Sequence, residues 1–312
     1  MKKLKTVFLG NPEFSLPTLK ALHEHPQVNL IAVSGSEDKP VGRGKKISSP
    51  ATIDFAKKNK IQVFQSPSIN KDESFHNFCE QEKPDVFIVL AFSHFLSQNV
   101  LDLPSLGCFN IHTSILPKYR GSSPIHYALL NGDKVTGVSI QKMVKKMDAG
   151  DIGLFQELKI EESDDYISLS NKLSKLSGEA IQIFIDKLSA NNIQFQPQDE
   201  SNVSFASLIQ KEDGSIHFRE ASSEIINKTR AYSLWPGTFF KVGGKTYKFK
   251  SIKTAPQVNL SPGKIKVTKS EIFIGCNDQA VQVEKIQPQG KPMMDAQSFI
   301  NGYKFENNEV DQ

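Results

Sequence analysis

The residues best suited to chemistry lie in one short stretch, Asn110 to Pro117, and in the loop that begins at Asp148. An amide, an imidazole and a carboxylate are therefore available close together in the sequence, and no cysteine or serine nucleophile stands out beside them. This set suits a reaction that needs an oxyanion donor, a proton carrier and a base or orienting group. Transfer of an acyl group to an amine is such a reaction.

Asn110 and His112 are two residues apart on a predicted strand, so their side chains point to the same face and can converge on one substrate atom. The Asn110 amide is a neutral donor for a developing oxyanion, and His112 can carry a proton near neutral pH. Asp148 could orient the imidazole or accept a proton through water. Each residue also has a structural interpretation, because histidines at strand ends and asparagines before turns commonly bond the backbone. Spacing alone leaves both interpretations open.

The elements that must position these residues alternate between apolar runs and amphipathic stretches. This alternation predicts a mostly parallel sheet, in which ligands bind at the carboxyl ends of the strands, where Asn110 and His112 lie. Strands are predicted at 5–10, 28–34, 62–64, 85–90, 107–112 and 135–144, and helices at 14–25, 50–60, 71–81, 124–131 and 167–188.

The pattern changes after the long helix at 167–188. The polar segment 191–207, which contains Pro197, is typical of a linker. Beyond it, short strands at close intervals and a Gly243-Gly244 hairpin signal predict a small β-barrel or sandwich. The domain boundaries expected are therefore 1–190, 191–207 and 208–312, with the last seven residues frayed. The short strands are predicted at 214–218, 238–242, 246–252, 262–268, 271–275 and 280–286.

Composition and charge distinguish the two parts. The chain has 312 residues, of which 38% are hydrophobic and 23% charged, which is typical of a globular protein of two domains. The part from Leu208 to Gln312 contains 13 Lys and 2 Arg against 7 Glu and 4 Asp, which accounts for the whole net charge of +4. A basic carboxy-terminal part suits a polyanionic partner, although a solvated lysine-rich face would have the same composition.

The three cysteines, Cys79, Cys108 and Cys276, are far apart and form no C-x-x-C pair. We therefore expect neither a disulfide framework nor a metal site, and we expect a reducing, cytoplasmic compartment. The apolar run Val7–Leu9 is too short for a signal peptide, and no stretch is apolar enough to span a membrane. We expect a monomer.

A longer motif surrounds the candidate residues. The stretch from Asn110 to Gly121 (Asn-x-His-x-Ser-Ile-Leu-Pro-x-Tyr-Arg-Gly), followed by Thr136-Gly137-Val138 and by Met147-Asp148-Ala149-Gly150, resembles the signature of folate-dependent formyltransferases. The resemblance implies that Asn110, His112 and Asp148 are catalytic and that 10-formyltetrahydrofolate donates the formyl group, with no metal. It also implies a Rossmann-like catalytic domain followed by a smaller OB-like β-barrel, and it extends from about Leu4 to about Ile300.

The resemblance implies that the folate lies in the cleft at the sheet end, between the segment 88–97 and the loop 138–148. One departure concerns that segment: where the family has Ala-Tyr-Gly and aliphatic residues, this chain has Ala91-Phe92-Ser93-His94-Phe95, so the detailed folate geometry is open. The residues implied to contact folate are Leu90, Ala91, Phe92, Phe95, Ser114, Ile115, Leu116 and Pro117.

The acceptor is indicated by other segments. The glycine-containing, positively charged loop 38–46 is either a solvated surface loop or a phosphate-binding one. It resembles the acceptor-arm loop of the family members that formylate methionyl-tRNA, and residues 209–214, 230–237 and 262–263 resemble their tRNA-binding domain. The implied partner is initiator methionyl-tRNA, and Trp235 is interpreted as a core anchor rather than a base-stacking platform. The implied tRNA contacts are Lys39, Arg43, Lys45, Lys46, Lys245, Lys248 and Lys250.

Three alternatives remain. A formyltransferase for a small amine, such as a nucleotide sugar or glycinamide ribonucleotide, would share the catalytic residues but not the 38–46 loop or the lysine-rich barrel. A non-catalytic RNA-binding protein on an enzyme scaffold would not need the complete Asn/His/Asp set. A dinucleotide oxidoreductase is disfavoured, because residues 10–14, Gly-Asn-Pro-Glu-Phe, do not form a G-x-G-x-x-G loop.

Overall fold

The computed structural model describes residues 2–41 and 46–311. By its contacts the chain forms two compact units. Unit 1 consists of Met1–Gly121, Val135–Lys159 and Ser170–Phe205, and unit 2 consists of Ser122–Lys134, Ile160–Leu169 and Ala206–Gln312. The boundaries predicted from the sequence, 1–190, 191–207 and 208–312, remain a prediction. Contacts assign 191–205 to unit 1 and two earlier segments to unit 2.

The strands and helices follow one another along the chain with short connections. The strands are β1 (Leu4–Leu9), β2 (Val28–Gly35), β3 (Lys39–Val41), β4 (Lys46–Ser48), β5 (Gln62–Gln65), β6 (Val86–Val89), β7 (Gly107–His112), β8 (Arg120–Gly121), β9 (Val135–Lys142), β10 (Ile152–Lys159), β11 (Phe205–Ala206), β12 (Thr238–Val242), β13 (Lys245–Ala255), β14 (Ile265–Val267), β15 (Ile272–Gly275), β16 (Ala280–Pro288) and β17 (Met294–Asp295). The helices are α1 (Leu16–Glu24), α2 (Ala51–Lys58), α3 (Glu73–Glu82), α4 (Gln98–Leu101), α5 (Pro124–Leu130), α6 (Tyr166–Ser189), α7 (Ser222–Ala231) and α8 (Ala296–Gly302).

Unit 1 is built on a seven-stranded sheet of order β10-β9-β7-β6-β1-β2-β5. The five strands from β7 to β5 are parallel, and β9 and β10 are antiparallel additions at one edge. All four residues of β6 are buried, as expected for a parallel strand that is covered on both faces. The predicted Rossmann-like sheet is confirmed, whereas β10 was not predicted.

Aromatic packing fixes β7, the strand that carries the candidate residues. Phe109 is buried, and its ring centroid lies 4.9 Å from that of Phe184 on α6 and 5.7 Å from that of Phe195. Since side chains alternate along a strand, this anchor points away from the face of Asn110. Burial of one such ring stabilises a fold by roughly 2–3 kcal/mol, which holds the strand end in register.

Unit 2 contains a six-stranded antiparallel sheet of order β12-β13-β16-β15-β14, with β17 paired to β16. Its core is aromatic and aliphatic, with Phe240, Phe249 and Phe299 among the buried side chains. The predicted OB-like β-domain is confirmed, while α7 and α8 were not predicted. The expected strand at 214–218 is replaced by a 3-10 turn at Lys211–Gly214 and one bridge, between Ser215 and Phe239.

The last residues of the chain join the two outer strands of this sheet. Ile265 N donates to Asn308 O at 2.9 Å beside β14, and Asp311 N donates to Lys241 O of β12 at 2.8 Å. Val310 is only 7% exposed and belongs to the core. The prediction that the last seven residues fray is therefore wrong for residues 306–311, because one apolar side chain and backbone bonding anchor this polar segment.

The Gly243-Gly244 hairpin between β12 and β13 forms as predicted. Both glycines have positive φ, 57° and 76°, which a tight two-residue hairpin turn requires. The Asp311 carboxylate accepts from Gly243 N at 2.9 Å and from Gly244 N at 2.8 Å. The terminal segment thus also fixes the turn that connects the lysine-bearing strands.

Trp235 is 49% exposed, so the interpretation of this residue as a core anchor is wrong. The backbone of Trp235 forms a hydrogen bond with the His126 side chain. The His126 ring in turn stacks on Tyr166, with ring centroids 4.2 Å apart. Burial lowers the pKa of His126 to about 4. About half of the tryptophan residue is accessible to solvent.

Within the described part of the chain, no helix combines the length and apolar character needed to cross a membrane.

Candidate active site

Strands β7 and β9 place polar side chains side by side at the end of the sheet. Asn110 of β7 lies directly opposite Gln141 of β9, and His112 lies opposite Ser139. Directly opposed residues of an antiparallel pair project to the same face. On β9, the residues beside Asn110 and His112 are therefore polar as well, although both Gln141 and Ser139 are almost fully buried.

The structure brings Asn110, His112 and Asp148 together around the carboxylate of Asp148. Asp148 Oδ1 accepts from Gln141 Nε2 at 2.8 Å and from Asn110 Nδ2 at 3.4 Å. Oδ2 accepts from Gly121 N at 2.9 Å and lies 3.7 Å from His112 Nδ1. The carboxylate thus contacts both other candidates while two shorter hydrogen bonds fix its plane.

The hydrogen bonds of His112 define which ring nitrogen carries a proton. The ring is 6% exposed, and Nε2 lies 2.8 Å from the carbonyl oxygen of Tyr119. A carbonyl only accepts, so Nε2 is the protonated nitrogen of the neutral ring. His112 can therefore present a proton from Nδ1, on the side of Asp148, only as an imidazolium.

The backbone of the Asp148 loop is tightly constrained. Asp148 has a φ of 50°, in the left-handed region that is uncommon for a residue with a side chain. A Cβ at Gly150 would lie 1.6 Å from Lys142 O, so only glycine fits there without a backbone shift. The backbone conformation that directs the Asp148 carboxylate toward β7 thus depends on the glycine at position 150.

Two glutamines and one arginine that sequence reasoning missed surround this loop. Gln198 Nε2 donates to Asp148 O at 2.9 Å and to Gly150 O at 2.7 Å, and Arg120 donates to Gln198 Oε1. Gln141 had no clear signal, because alternation along the strand groups it with the polar Ser139 and away from Ile140, whereas residues 136–141 are all buried. Gln198 had none either, because it is one of several glutamines in a mostly polar segment.

The segment after β6 contains four of the predicted folate contacts. Ala91 is exposed with a φ of 50°, Phe92 is half-buried against the core, and Phe95 is 64% exposed. Leu90 is buried, and its backbone bonds Leu9 and Ser15. Within the described residues, Nδ1 of His94 is buried without a hydrogen-bond partner.

The other four predicted folate contacts lie in the loop after His112. Ser114 is fully buried and its hydroxyl donates to Lys118 O, so it shapes the loop rather than presenting a polar group. Leu116 is also buried, and its N–H donates to Ser139 Oγ at 3.0 Å. Ile115 and Pro117 are half-buried, which leaves their side chains accessible.

Ser93 links three strand ends. Its hydroxyl accepts from Asn11 Nδ2 at 3.1 Å and lies 3.2 Å from Ser36 Oγ, while Asn11 Oδ1 accepts from Ser36 N at 2.6 Å. Gln65 donates to Ser36 O and to Asp38, and the second bond holds the pKa of the Asp38 carboxyl below its usual value. The unusual serine thus links the segment after β6 to the residues that begin the 38–46 loop.

The predicted tRNA contacts fall into three groups. Lys39 is exposed on β3 and Lys46 belongs to β4, whereas Arg43 and Lys45 lie outside the described residues. In unit 2, Lys245 pairs with Glu306 at 2.5 Å. Lys248 and Lys250 are exposed on β13 and form no ion pair with any residue in the described ranges. These last two retain free charges.

Among residues 2–41 and 46–311, no group of three or more His, Cys, Asp or Glu side chains is arranged to hold a metal ion. Cys79, Cys108 and Cys276 are all free and buried, and burial raises the pKa of each thiol. These thiols are therefore poor nucleophiles.

Comparison with known proteins gives consistent matches. The family profile described as formyl transferase matches residues 4–185, and the profile of its C-terminal domain matches residues 208–304. The methionyl-tRNA formyltransferase of Macrococcus caseolyticus is 39% identical over 302 residues, covering 96% of both chains. That of Thermotoga maritima is 37% identical over 310 residues, covering 97% of this chain and 98% of the relative.

A solved structure shares the fold at lower identity. The N-formyltransferase from Helicobacter canadensis, in complex with folinic acid and dTDP-3-aminofucose, superposes with a TM-score of 0.67 at 19% identity, covering 90% of this chain and 98% of that one. This likeness concerns the fold alone. The family is established by the two matching profiles and by the relatives that cover nearly the whole sequence. The chain belongs to the formyl transferase family.

Proposed function

We propose that this chain transfers the formyl group of 10-formyltetrahydrofolate to the α-amine of methionine on charged initiator tRNA. The observation that carries the proposal is the cluster of Asn110, His112 and Asp148 at the carboxyl end of β7. The names of the relatives at 37% and 39% identity support the acceptor. The product, N-formylmethionyl-tRNA, would serve translation initiation.

Bound 10-formyltetrahydrofolate supplies a formyl group whose oxygen gains negative charge as the amine adds to its carbon. Asn110 has a second amide hydrogen besides the one in its long, 3.4 Å contact with Asp148, and it can donate this hydrogen to that oxygen. A donor that is fixed in advance stabilises the developing charge without reorganisation. Asn110 is therefore proposed as an oxyanion donor.

His112 and Asp148 are proposed to handle the charge and the proton. His112 as an imidazolium would stabilise the oxyanion, while its Nε2 stays bonded to the Tyr119 carbonyl. Asp148 would orient the imidazole and promote loss of the amine proton through water. As the tetrahedral adduct collapses, the bond between the formyl carbon and N10 of the folate would break, and N10 would take up that proton through water, so that tetrahydrofolate leaves as a neutral amine. Because Gln141 and Gly121 hold the carboxylate, it acts from a fixed position.

The residues after β6 fit a folate ring. A pterin has an apolar flat face and a hydrogen-bonding edge. This segment offers the half-buried Phe92, the exposed Phe95 and Nδ1 of His94, which has no hydrogen-bond partner among the described residues. The exposed backbone at Ala91 adds polar groups. We propose that Leu90, Ala91, Phe92 and Phe95, with Ile115 and Pro117, hold the donor, while the buried Ser114 and Leu116 shape that side of the site.

The lysines are proposed as the tRNA-binding surface. Lys248 and Lys250 of β13 form no ion pair with residues 2–41 or 46–311, so each could contact a phosphate and release bound counterions. Lys245 would contribute less because Glu306 already neutralises it. Lys39, Arg43, Lys45 and Lys46 are proposed to contact the acceptor arm. We further propose a monomer that acts in the cytoplasm, where initiator tRNA is used.

The decisive experiment is a formylation assay with purified protein, labelled 10-formyltetrahydrofolate and either initiator or elongator methionyl-tRNA. Labelling of the initiator alone would support both the acceptor and the selectivity. Labelling of an amino sugar nucleotide or of glycinamide ribonucleotide, with neither tRNA labelled, would instead support the small-amine alternative. No formyl transfer, together with salt-sensitive tRNA binding, would favour the non-catalytic alternative.

A further inference from the structure

The carbonyl groups on both sides of Ala149 are held by one side chain that belongs to a distant segment. Gln198 Nε2 donates to Asp148 O at 2.9 Å and to Gly150 O at 2.7 Å. It also lies 3.3 Å from Gln141 Oε1, which in turn accepts from Gly150 N at 3.2 Å. The left-handed backbone of Asp148 is thus stabilised by contacts outside its own loop.

Arg120 determines the orientation of the Gln198 amide. Its Nε and Nη2 donate to Gln198 Oε1 at 3.0 Å and 2.8 Å. A guanidinium only donates and a carbonyl only accepts, so the oxygen must face Arg120 and the nitrogen must face the Asp148 loop. The two partners leave no alternative rotation of the amide.

Arg120 is itself almost fully buried and paired on its outer side. Nη2 donates to Glu200 Oε1 at 2.8 Å, and Glu200 also accepts from Lys146 at 2.9 Å. The bond from Arg120, together with Lys146, lowers the pKa of Glu200 to about 2, so this partner remains ionised at neutral pH. Within the described ranges, Nη1 of Arg120 is buried without a partner.

A buried donor without a partner costs stability, so this cluster is not the arrangement that stability alone would favour. What the contacts of Arg120 do achieve is to fix the orientation of the Gln198 side-chain amide. We propose that Gln198, oriented by Arg120, is the positioning residue that sets the backbone of Asp148 and so aims its carboxylate at Asn110 and His112. This inference rests on the proposed catalytic role of Asp148.

The test is Gln198→Glu, which keeps the shape and the Arg120 contact but turns an acceptor toward the two carbonyls. Misplacing a catalytic group by about 1 Å can cost about 100-fold, so we expect kcat to fall by roughly 10- to 100-fold. The KM values for folate and charged tRNA should change by less than about threefold, since neither substrate is proposed to contact Gln198. Gln196→Glu, the same change at an exposed neighbouring residue, is the matched control and should retain wild-type kinetics.

The second measurement is a double-mutant cycle under single-turnover conditions. In an Asp148→Ala background, Gln198→Glu should cause little further loss, because a positioning residue acts through the group that it positions. An equal loss in both backgrounds, or a wild-type kcat for Gln198→Glu, would overturn the inference. If Gln198→Glu does not fold, Gln198→Met, which removes the donor without adding charge, takes its place in both measurements.

Failure of this inference can be distinguished from failure of the proposed function. If Asp148→Ala keeps a near wild-type rate, the catalytic assignment of Asp148 fails, and the positioning role fails with it. If Asp148→Ala is inactive and Gln198→Glu is unimpaired, only the positioning role of Gln198 is lost.

Discussion

The carboxylate site at the end of β7 and the lysine-bearing strand β13 are both polar, but they differ in how their polar groups are satisfied. Both oxygens of Asp148 already accept hydrogen bonds from the protein, from Gln141 and Gly121 among others. Lys248 and Lys250, by contrast, form no ion pair with the described residues and extend into solvent. The carboxylate of Asp148 is therefore held in position by hydrogen bonds, whereas the charges of Lys248 and Lys250 are not neutralised by any described residue.

The difference matches two physical requirements. Stabilising a charge that develops during a reaction needs donors that are fixed in advance, since reorganisation during the reaction raises the barrier. Binding a phosphate backbone needs charges that are not already neutralised, because affinity comes from counterion release. Loss of a side chain should therefore reduce turnover in the first region and salt-dependent affinity in the second.

The largest effect should come from the fixed region. Asn110→Ala and Asp148→Ala should each lower kcat about 10²- to 10³-fold, the usual cost of removing one oxyanion donor or its partner, while the proteins fold normally. The measurement is the formylation rate, with circular dichroism to monitor folding. Asp54→Ala, at an exposed position of α2, is the control and should keep the wild-type rate. Near wild-type rates for both site variants would contradict the catalytic roles of Asn110 and Asp148.

The next largest effect tests whether the sheet that carries the exposed lysines of unit 2 depends on the terminal segment for its stability. Removing residues 308–312 exposes the core around Val310 and removes the backbone bonds beside β14 and β12. We expect the free energy of unfolding to fall by about 3 kcal/mol, from one apolar burial and several backbone hydrogen bonds. Denaturant titration measures this loss, and an unchanged midpoint would show that the sheet does not need its terminal segment.

A pH titration sharpens the comparison within unit 2, where the half-buried His126 is partly removed from solvent whereas the lysines are exposed. Its folded pKa, about 4, lies below the usual 6.5, so the unfolded chain binds the proton more tightly. Stability is therefore complete above pH 6.5 and is lost as the pH falls toward 4, with about 2 kcal/mol lost between pH 7 and pH 5. Replacement by His126→Phe should remove this part of the pH dependence in denaturant titrations, whereas an equally steep dependence in the variant would contradict the assignment.

The smallest effect concerns the lysines. The double variant Lys248→Ala/Lys250→Ala should bind charged tRNA roughly tenfold more weakly and reduce the slope of log affinity against log salt by about 2, close to one per phosphate contact. Lys245→Ala should change both quantities less, because Glu306 already pairs with Lys245. Binding isotherms at several salt concentrations make the comparison. Equal effects of Lys245 and Lys248 single variants would show that ion pairing does not determine which lysines bind.

Several parts of the fold followed directly from local sequence. The apolar run that becomes β6, the long amphipathic helix α6 and the Gly243-Gly244 turn are specified by neighbouring residues, through burial, helical spacing and positive φ. The edge strand β10 and the short helices α7 and α8 were missed. Their apolar pattern is weak, and they form because the rest of the sheet or core is already present to pair with them.

The site shows the same division. Asn110, His112 and Asp148 were identified because one signature contains all three, and the structure places them around one carboxylate. Gln198 could not be found, since it lies 50 residues from Asp148 in a segment that is mostly polar and contains several glutamines. Trp235 was misplaced because its apolar neighbours suggested burial, whereas in the structure the residue is 49% exposed.

By itself the sequence determined which chemical groups this protein has at the ends of its strands and which of its two parts is basic. Those properties depend on residue type and short-range spacing. Only the tertiary structure decided which atoms hold the Asp148 carboxylate and which lysines keep their charge free. Partners such as Gln198 and Glu306 meet these groups across long stretches of chain, and no local pattern specifies such a contact before the chain has folded.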